Sequence, residues 1–128
     1  MPDEVLGLRV LAADDDPDIL DLISYRLERS GCVVLRATDG EEALALARDE
    51  LPDLAVLDVM MPKMDGYEVT RQIRSDPTTT GIKIILLTAS SQEPDVVKGF
   101  EAGADDYMTK PFSPQELRMR LAAISARR

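Results

Sequence analysis

With 128 residues, 45% hydrophobic and 30% charged, the chain has the balance of one folded domain and no room for a second. Fifteen Lys and Arg against 24 Asp and Glu give a net charge of −9. That argues against a nucleic-acid surface, which needs clustered basic residues. There is no His, and Cys32 is the lone cysteine. Imidazole catalysis, disulfides and thiolate metal clusters are thereby excluded within this chain, leaving carboxylates, hydroxyls, amines and the backbone. No run approaches the ~20 apolar residues that span a bilayer, and Met1-Pro2-Asp3-Glu4 is unlike a cationic secretory leader. The expectation is a cytoplasmic protein without membrane contact.

In chain order, five short apolar runs alternate with five amphipathic segments. The runs are Leu8 to Ala13, Cys32 to Ala37, Leu54 to Leu57, Ile82 to Thr88 and Tyr107 to Thr109. Several are apolar throughout, as strands covered on both faces of a parallel sheet are. The second, with Arg36 in it, reads as an edge. Asp16 and Pro17 open the first helix, with Leu20, Ile23 and Leu27 on one face and Gly31 as its stop. Asp39 opens the second, with Ala43, Leu44 and Ala47 inward. Asp65 opens the third, through Val69 and Ile73, and Ser75-Asp76-Pro77 ends it. The fourth has Pro94 near its start, Val96, Val97 and Phe100 as its predicted apolar face, and Gly103 as its stop. Ser113-Pro114-Gln115-Glu116 is a capping box for the fifth, with Leu117, Leu121 and Ile124 inward. Strand then helix, five times over with short connections, predicts a (βα)5 doubly wound α/β domain. Residues 1–7 read as an N-terminal extension, 8–126 as the domain, and 127–128 as an end or the start of a linker.

Ligands of such folds bind at the carboxyl ends of the strands. There the sequence places Asp14-Asp15-Asp16 after strand one, Asp58 after strand three, Thr88-Ala89-Ser90 after strand four and Thr109-Lys110-Pro111 after strand five. Asp16 fits a helix cap. Asp14 and Asp15 fit either a solvated cap or a cation site. Asp58, following Leu54-Ala-Val-Leu57, favours the second reading because an unpaired charge at the end of a buried strand is costly. Oxygen-only ligands, few and partly exposed, suit Mg²⁺. Lys110 fits a surface lysine or, facing the acids, an ammonium that pairs with Asp58 and then with a phosphoryl oxygen.

The separated motifs Leu11-Ala-Ala-Asp14-Asp15-Asp16-Pro17, Pro52 through Asp58 to Pro62-Lys-Met-Asp65-Gly66, Leu87-Thr88-Ala89, Gly103-Ala-Asp-Asp-Tyr107 and Lys110-Pro111-Phe112 agree in order and spacing with one family. Over Arg9 to Arg128 the chain resembles the receiver domain of two-component response regulators. The resemblance implies a flavodoxin-like parallel sheet in the order 2-1-3-4-5 with helices on both faces. It implies Asp58 as phosphoacceptor. It also implies Mg²⁺, or Mn²⁺ in its place, on Asp14, Asp15, Asp58 and the Met60 carbonyl. Thr88 and Lys110 would contact the phosphoryl oxygens, and Thr88 and Tyr107 would act as the switch. The Lys110–Pro111 peptide would be cis, and Met60 and Ser90 would tune the phosphoryl lifetime.

Lacking His, the chain needs an outside donor, so the implied partners are a sensor histidine kinase or a histidine phosphotransfer protein. An output domain or protein target would read the surface of helix four, strand five and helix five. That face also pairs some receivers into homodimers through charged residues. Asp106 and Arg120 match one such pair and Glu116 half of another, whose basic side is replaced by Val96. Arg118, Arg120, Arg127 and Arg128 otherwise read as a solvated basic helix end. A rival reading, an aspartyl phosphatase with turnover of its own, needs a second acid two residues after the nucleophile, where Met60 stands. A phosphate-independent pseudo-receiver would lack some of the acids, Thr or Lys. The expectation is a switch rather than an enzyme.

Overall fold

The computed structural model describes residues 5–89 and 92–126. Among them are five strands and five helices in strict alternation: β1 (Arg9–Ala13), α1 (Pro17–Arg29), β2 (Val33–Ala37), α2 (Gly40–Glu50), β3 (Leu54–Asp58), α3 (Gly66–Ser75), β4 (Lys83–Thr88), α4 (Glu93–Ala102), β5 (Asp106–Thr109) and α5 (Pro114–Ser125). The strands form one sheet in the order β2-β1-β3-β4-β5, parallel at every pairing. The α/β class, the strand order and the edge position of β2 agree with the sequence reading.

The strand sequences dictate this layering. All five residues of β3 are buried, as are all but the first of β1 and β4, so side chains alternating up and down enter a core on each face. One core gathers Leu11, Ala55, Leu57, Ile84 and Leu86 with Ala43 and Ala47 of α2 and Val69 and Ile73 of α3. The other gathers Val10, Ala12, Val56, Ile85 and Leu87 with Leu20, Ile23 and Leu27 of α1 and Leu117, Leu121 and Ile124 of α5. β2, covered less well, has an exposed Val33 and Arg36.

The helix caps follow the predicted residues. The side chains of Asp16, Asp39, Asp65 and Ser113 each accept backbone N–H groups of the helix they precede. Gly31 takes φ +91° just past α1 and Gly103 φ +111° after α4, a conformation that favours glycine. The Lys110–Pro111 peptide is cis.

The fourth helix departs from its predicted face. Val97 is 44% exposed and Phe100 47%, and Val96 is only half-buried. Among the described side chains of this helix the buried positions are Gly99 and Ala102. A Cβ on Gly99 would lie 2.9 Å from Cδ2 of Tyr107 and 3.3 Å from Cδ1 of Leu86, so the helix approaches β4 and β5 by the side that has no side chain. Close approach through glycine turns the larger apolar residues outward.

Among the described residues no helix is long and apolar enough to cross a membrane.

Candidate functional site

Parallel strands bring their carboxyl ends to one edge, and there Asp14, Asp15, Asp58 and Lys110 converge. Asp14 directly follows β1, and Asp58 is the last residue of β3. Carboxylate oxygens of Asp14, Asp15 and Asp58 all lie within 4.8 Å of one another. Asp14 and Asp58 are buried, 0% and 4% exposed, while Asp15 is exposed. Lys110, just beyond β5, reaches across so that its Nζ lies 2.9 Å from Oδ2 of Asp14 and 3.3 Å from Oδ1 of Asp58. The sequence pairs Lys110 with Asp58; the structure shares it, with the shorter contact to Asp14. Thr88 ends β4 and is buried, and its carbonyl accepts the Lys110 N–H at 2.7 Å, tying the lysine's backbone to the same edge.

Local backbone contacts fix the positions of these groups. The Asp14 N–H donates to the Ala37 carbonyl, and Oδ1 of Asp14 accepts the Asp16 N–H at 2.9 Å. Beyond Asp58, the N–H of Val59 donates to the Leu87 carbonyl and the N–H of Gly66 to the Val59 carbonyl. A Cβ on Gly66 would lie 2.5 Å from the Asp58 carbonyl oxygen, so only glycine lets α3 begin this close to the acidic strand end. In the loop between, Val59 and Met61 are buried anchors, and Met60 is turned out, 72% exposed.

Three carboxylates and one ammonium leave the cluster electron-rich. Burial, and then the neighbouring Asp14 carboxylate, raise the Asp58 pKa from its usual 3.8 to about 6 against the opposing pull of Lys110. Burial acts to lower the Lys110 pKa, but hydrogen bonding to Asp14 and the charges of both acids outweigh it and leave the pKa raised. A carboxylate pair about 4 Å apart repels by roughly 4 kcal/mol at an effective dielectric of 20. An oxygen-only cluster of this charge could hold a metal ion, and its donor set fits a hard divalent cation.

Tyr107, in β5, is half-buried and packs on the core beneath α2, α3 and α4. Beside it stands Tyr67, at the start of α3 and 6% exposed, a residue the sequence reading did not place. Its hydroxyl donates to the Asp95 carbonyl of α4 at 3.3 Å, and Nζ of Lys98 lies 4.6 Å from its ring centroid. Burial, then the hydrogen bond with Tyr107, push its pKa up to about 12. The one hint in the sequence is an aromatic directly after the helix-starting Gly66. Ser90 falls outside the described residues, as do Arg127 and Arg128.

On the face of α4, β5 and α5, NH1 of Arg120 lies 3.1 Å from Oδ2 of Asp106 and its Nε 3.1 Å from Oε2 of Glu116. Hydrogen bonds to Asp106 and then Glu116 raise the Arg120 pKa. Arg120 is thus engaged inside the chain and does not belong to a freely solvated basic end.

The sheet thus carries three acids and an ammonium at its strand ends, the arrangement that the resemblance to receiver domains implies. The family model of the response regulator receiver domain matches residues 10–122. The chain belongs to the response regulator receiver family of two-component systems. It is 53% identical over 122 residues to the alkaline phosphatase synthesis transcriptional regulatory protein PhoP of Bacillus subtilis (strain 168), covering 95% of this chain and 50% of that protein. The chain thus spans about half the length of the curated relatives it matches. A putative response regulator from Chloroflexus aurantiacus superposes with a TM-score of 0.90 at 40% identity, over 94% of this chain and 99% of that one. The receiver domain of sensor histidine kinase PA1611 from Pseudomonas aeruginosa, with a magnesium ion in its active-site cleft, superposes with a TM-score of 0.87 at 31% identity. That match covers 94% of this chain and 99% of the other.

Proposed function

We propose that the chain accepts a phosphoryl group on Asp58 and uses it to reset the surface around α4. What carries this reading is the position of Lys110, its Nζ within 3.3 Å of both Asp14 and Asp58, at the one edge where three carboxylates converge. An Oδ of Asp58 attacks phosphorus in line. The P–N bond of a phosphohistidine on a sensor histidine kinase or phosphotransfer protein breaks, and the imidazole leaves with the bonding pair. Only the carboxylate can attack, and a pKa near 6 leaves Asp58 mostly ionised at neutral pH. Lys110 moves from Asp58 to an equatorial phosphoryl oxygen while keeping Asp14, and the Thr88 hydroxyl provides a second contact there.

Asp14, Asp15, Asp58 and the Met60 carbonyl would hold Mg²⁺. The PA1611 receiver, with magnesium in its cleft, supports that choice. When bound, the ion neutralises charge on the transferring group. Its binding is tested by the thermal midpoint: Mg²⁺ should raise it by several degrees, and Asp14→Ala should remove most of that rise. An unchanged midpoint in the wild type counts against the metal site.

The added charge draws Thr88, and with it Tyr107, and biases an existing equilibrium of the α4, β5 and α5 surface. An output domain or a separate protein reads that surface. Since the curated relatives are about twice as long, an attached output domain is the favoured reader. A homodimer through the same face would have to redirect Arg120 from its partners within the chain. The receiver unit is taken as residues 8–126, with its place in the cytoplasm. The reading as a switch without turnover of an external substrate is supported by Met60, which stands two residues after Asp58 where an aspartyl phosphatase needs a second acid.

A further inference from the structure

The two ends of α4 are held by unequal means. At its C-terminal end the guanidinium of Arg74, from the last turn of α3, donates to the carbonyls of Gly103, Thr80 and Ile82 at 2.6–2.8 Å and pairs with Asp105 at 2.8 Å. The same Asp105 oxygen accepts the Ile84 N–H, so this end is fastened to the base of β4. A charged, multiply bonded fork of this kind is rigid. Along the rest of α4, Val97 and Phe100 face solvent and the close contact to the sheet is made by Gly99. The N-terminal half meets α3 at Tyr67, through the 3.3 Å bond to the Asp95 carbonyl and the ring under Lys98. Gly99 lies against the ring of Tyr107, so a movement of Tyr107 acts on α4 between its two attachments.

We propose that Tyr67 is a positioning residue of the switch, whose hydroxyl and ring hold the N-terminal half of α4 in its resting place while Arg74 fixes the other end as the pivot. The proposal rests on the reading of Thr88 and Tyr107 as the switch and adds to it the residue the helix leaves when they move. One hydrogen bond of this type corresponds to about a two- to ten-fold change in an equilibrium.

The test uses Tyr67→Phe, which keeps the ring but removes the hydroxyl's bonds to both Asp95 and Tyr107, and Tyr67→Leu, which also removes the contact with Lys98. Tyr107→Phe is the control that removes only the second bond and should leave exchange at 95–99 slower than in Tyr67→Phe. Amide hydrogen exchange is measured on the resting chain without metal or phosphoryl donor. In Tyr67→Phe, exchange over residues 95–99 should quicken about two- to ten-fold, and more in Tyr67→Leu, with residues 102–105 and the sheet unchanged. Unchanged exchange at 95–99, or the same increase throughout the chain, overturns the proposal. Labelling of Asp58 by acetyl phosphate with Mg²⁺ should rise in Tyr67→Phe by the same factor as exchange. Faster exchange with an unchanged labelling rate would make Tyr67 a packing residue and refute its part in the switch. If the wild-type chain takes no label, the phosphoacceptor reading fails by itself, and the exchange pattern still decides whether Tyr67 holds α4.

Discussion

Replacing Asp58 by asparagine should make the metal-free chain more stable at neutral pH, although it removes one partner of Lys110. In the folded chain, burial and the nearby Asp14 carboxylate hold the Asp58 pKa at about 6, above its usual 3.8. A raised carboxyl pKa means that the folded state binds more protons than the unfolded state between those values, so stability falls as pH rises through that window. The difference amounts to about 3 kcal/mol near pH 7.5 and about 1 kcal/mol near pH 4.5, and it vanishes once both states are protonated. Asparagine has the same shape without the charge, and Lys110 retains Asp14 at 2.9 Å. The expected gain is therefore about 1–3 kcal/mol near pH 7.5, shrinking as the pH falls toward 4. Urea unfolding in a chelating buffer at several pH values measures it. A variant no more stable than the wild type near pH 7.5, or a gain that stays constant down to pH 4, would refute the reasoning that the cluster is an electrostatic burden relieved only by a cation.

Other consequences are open to direct measurement. Met60, exposed beside the site and unable to orient water, should give a slow loss of the phosphoryl group. Met60→Asn or Met60→Glu should speed that loss on the order of ten-fold, short of the roughly 10²–10⁴-fold of a dedicated general base. Equal or slower loss in the variants contradicts this. The Ser24 hydroxyl, buried on the inner face of α1, has no hydrogen-bond partner among the described residues, so Ser24→Ala should stabilise the chain by about 1 kcal/mol in chemical denaturation. A loss of stability would show that the hydroxyl is satisfied in solution.

Most of the fold was legible because a parallel sheet buries its strands on both faces, which leaves runs such as Leu54 to Leu57 without a polar interruption. The acids were legible for the related reason that a charge ending such a run stands out. The face of α4 was not, because periodicity assigns the core to Val97 and Phe100, whereas the closest approach is made by Gly99, whose merit is the absence of a side chain. Tyr67 was hidden because it stands two residues before Val69, off the stripe that Val69 and Ile73 form on α3, although it joins the same core and its hydroxyl meets α4. The division of Lys110 between Asp14 and Asp58 depends on the register of β1, β3 and β5 across the sheet, a relation among segments far apart in the chain.

The proposed role of Asp58 as the phosphoryl carrier is open to a direct chemical test. Incubation of the wild-type chain and Asp58→Ala with acetyl phosphate and Mg²⁺, followed by intact mass, tests it directly. A mass gain of one phosphoryl group is expected on the wild type, absent without Mg²⁺ and absent in Asp58→Ala. Label persisting on the Ala variant, or no label on the wild type, would contradict it.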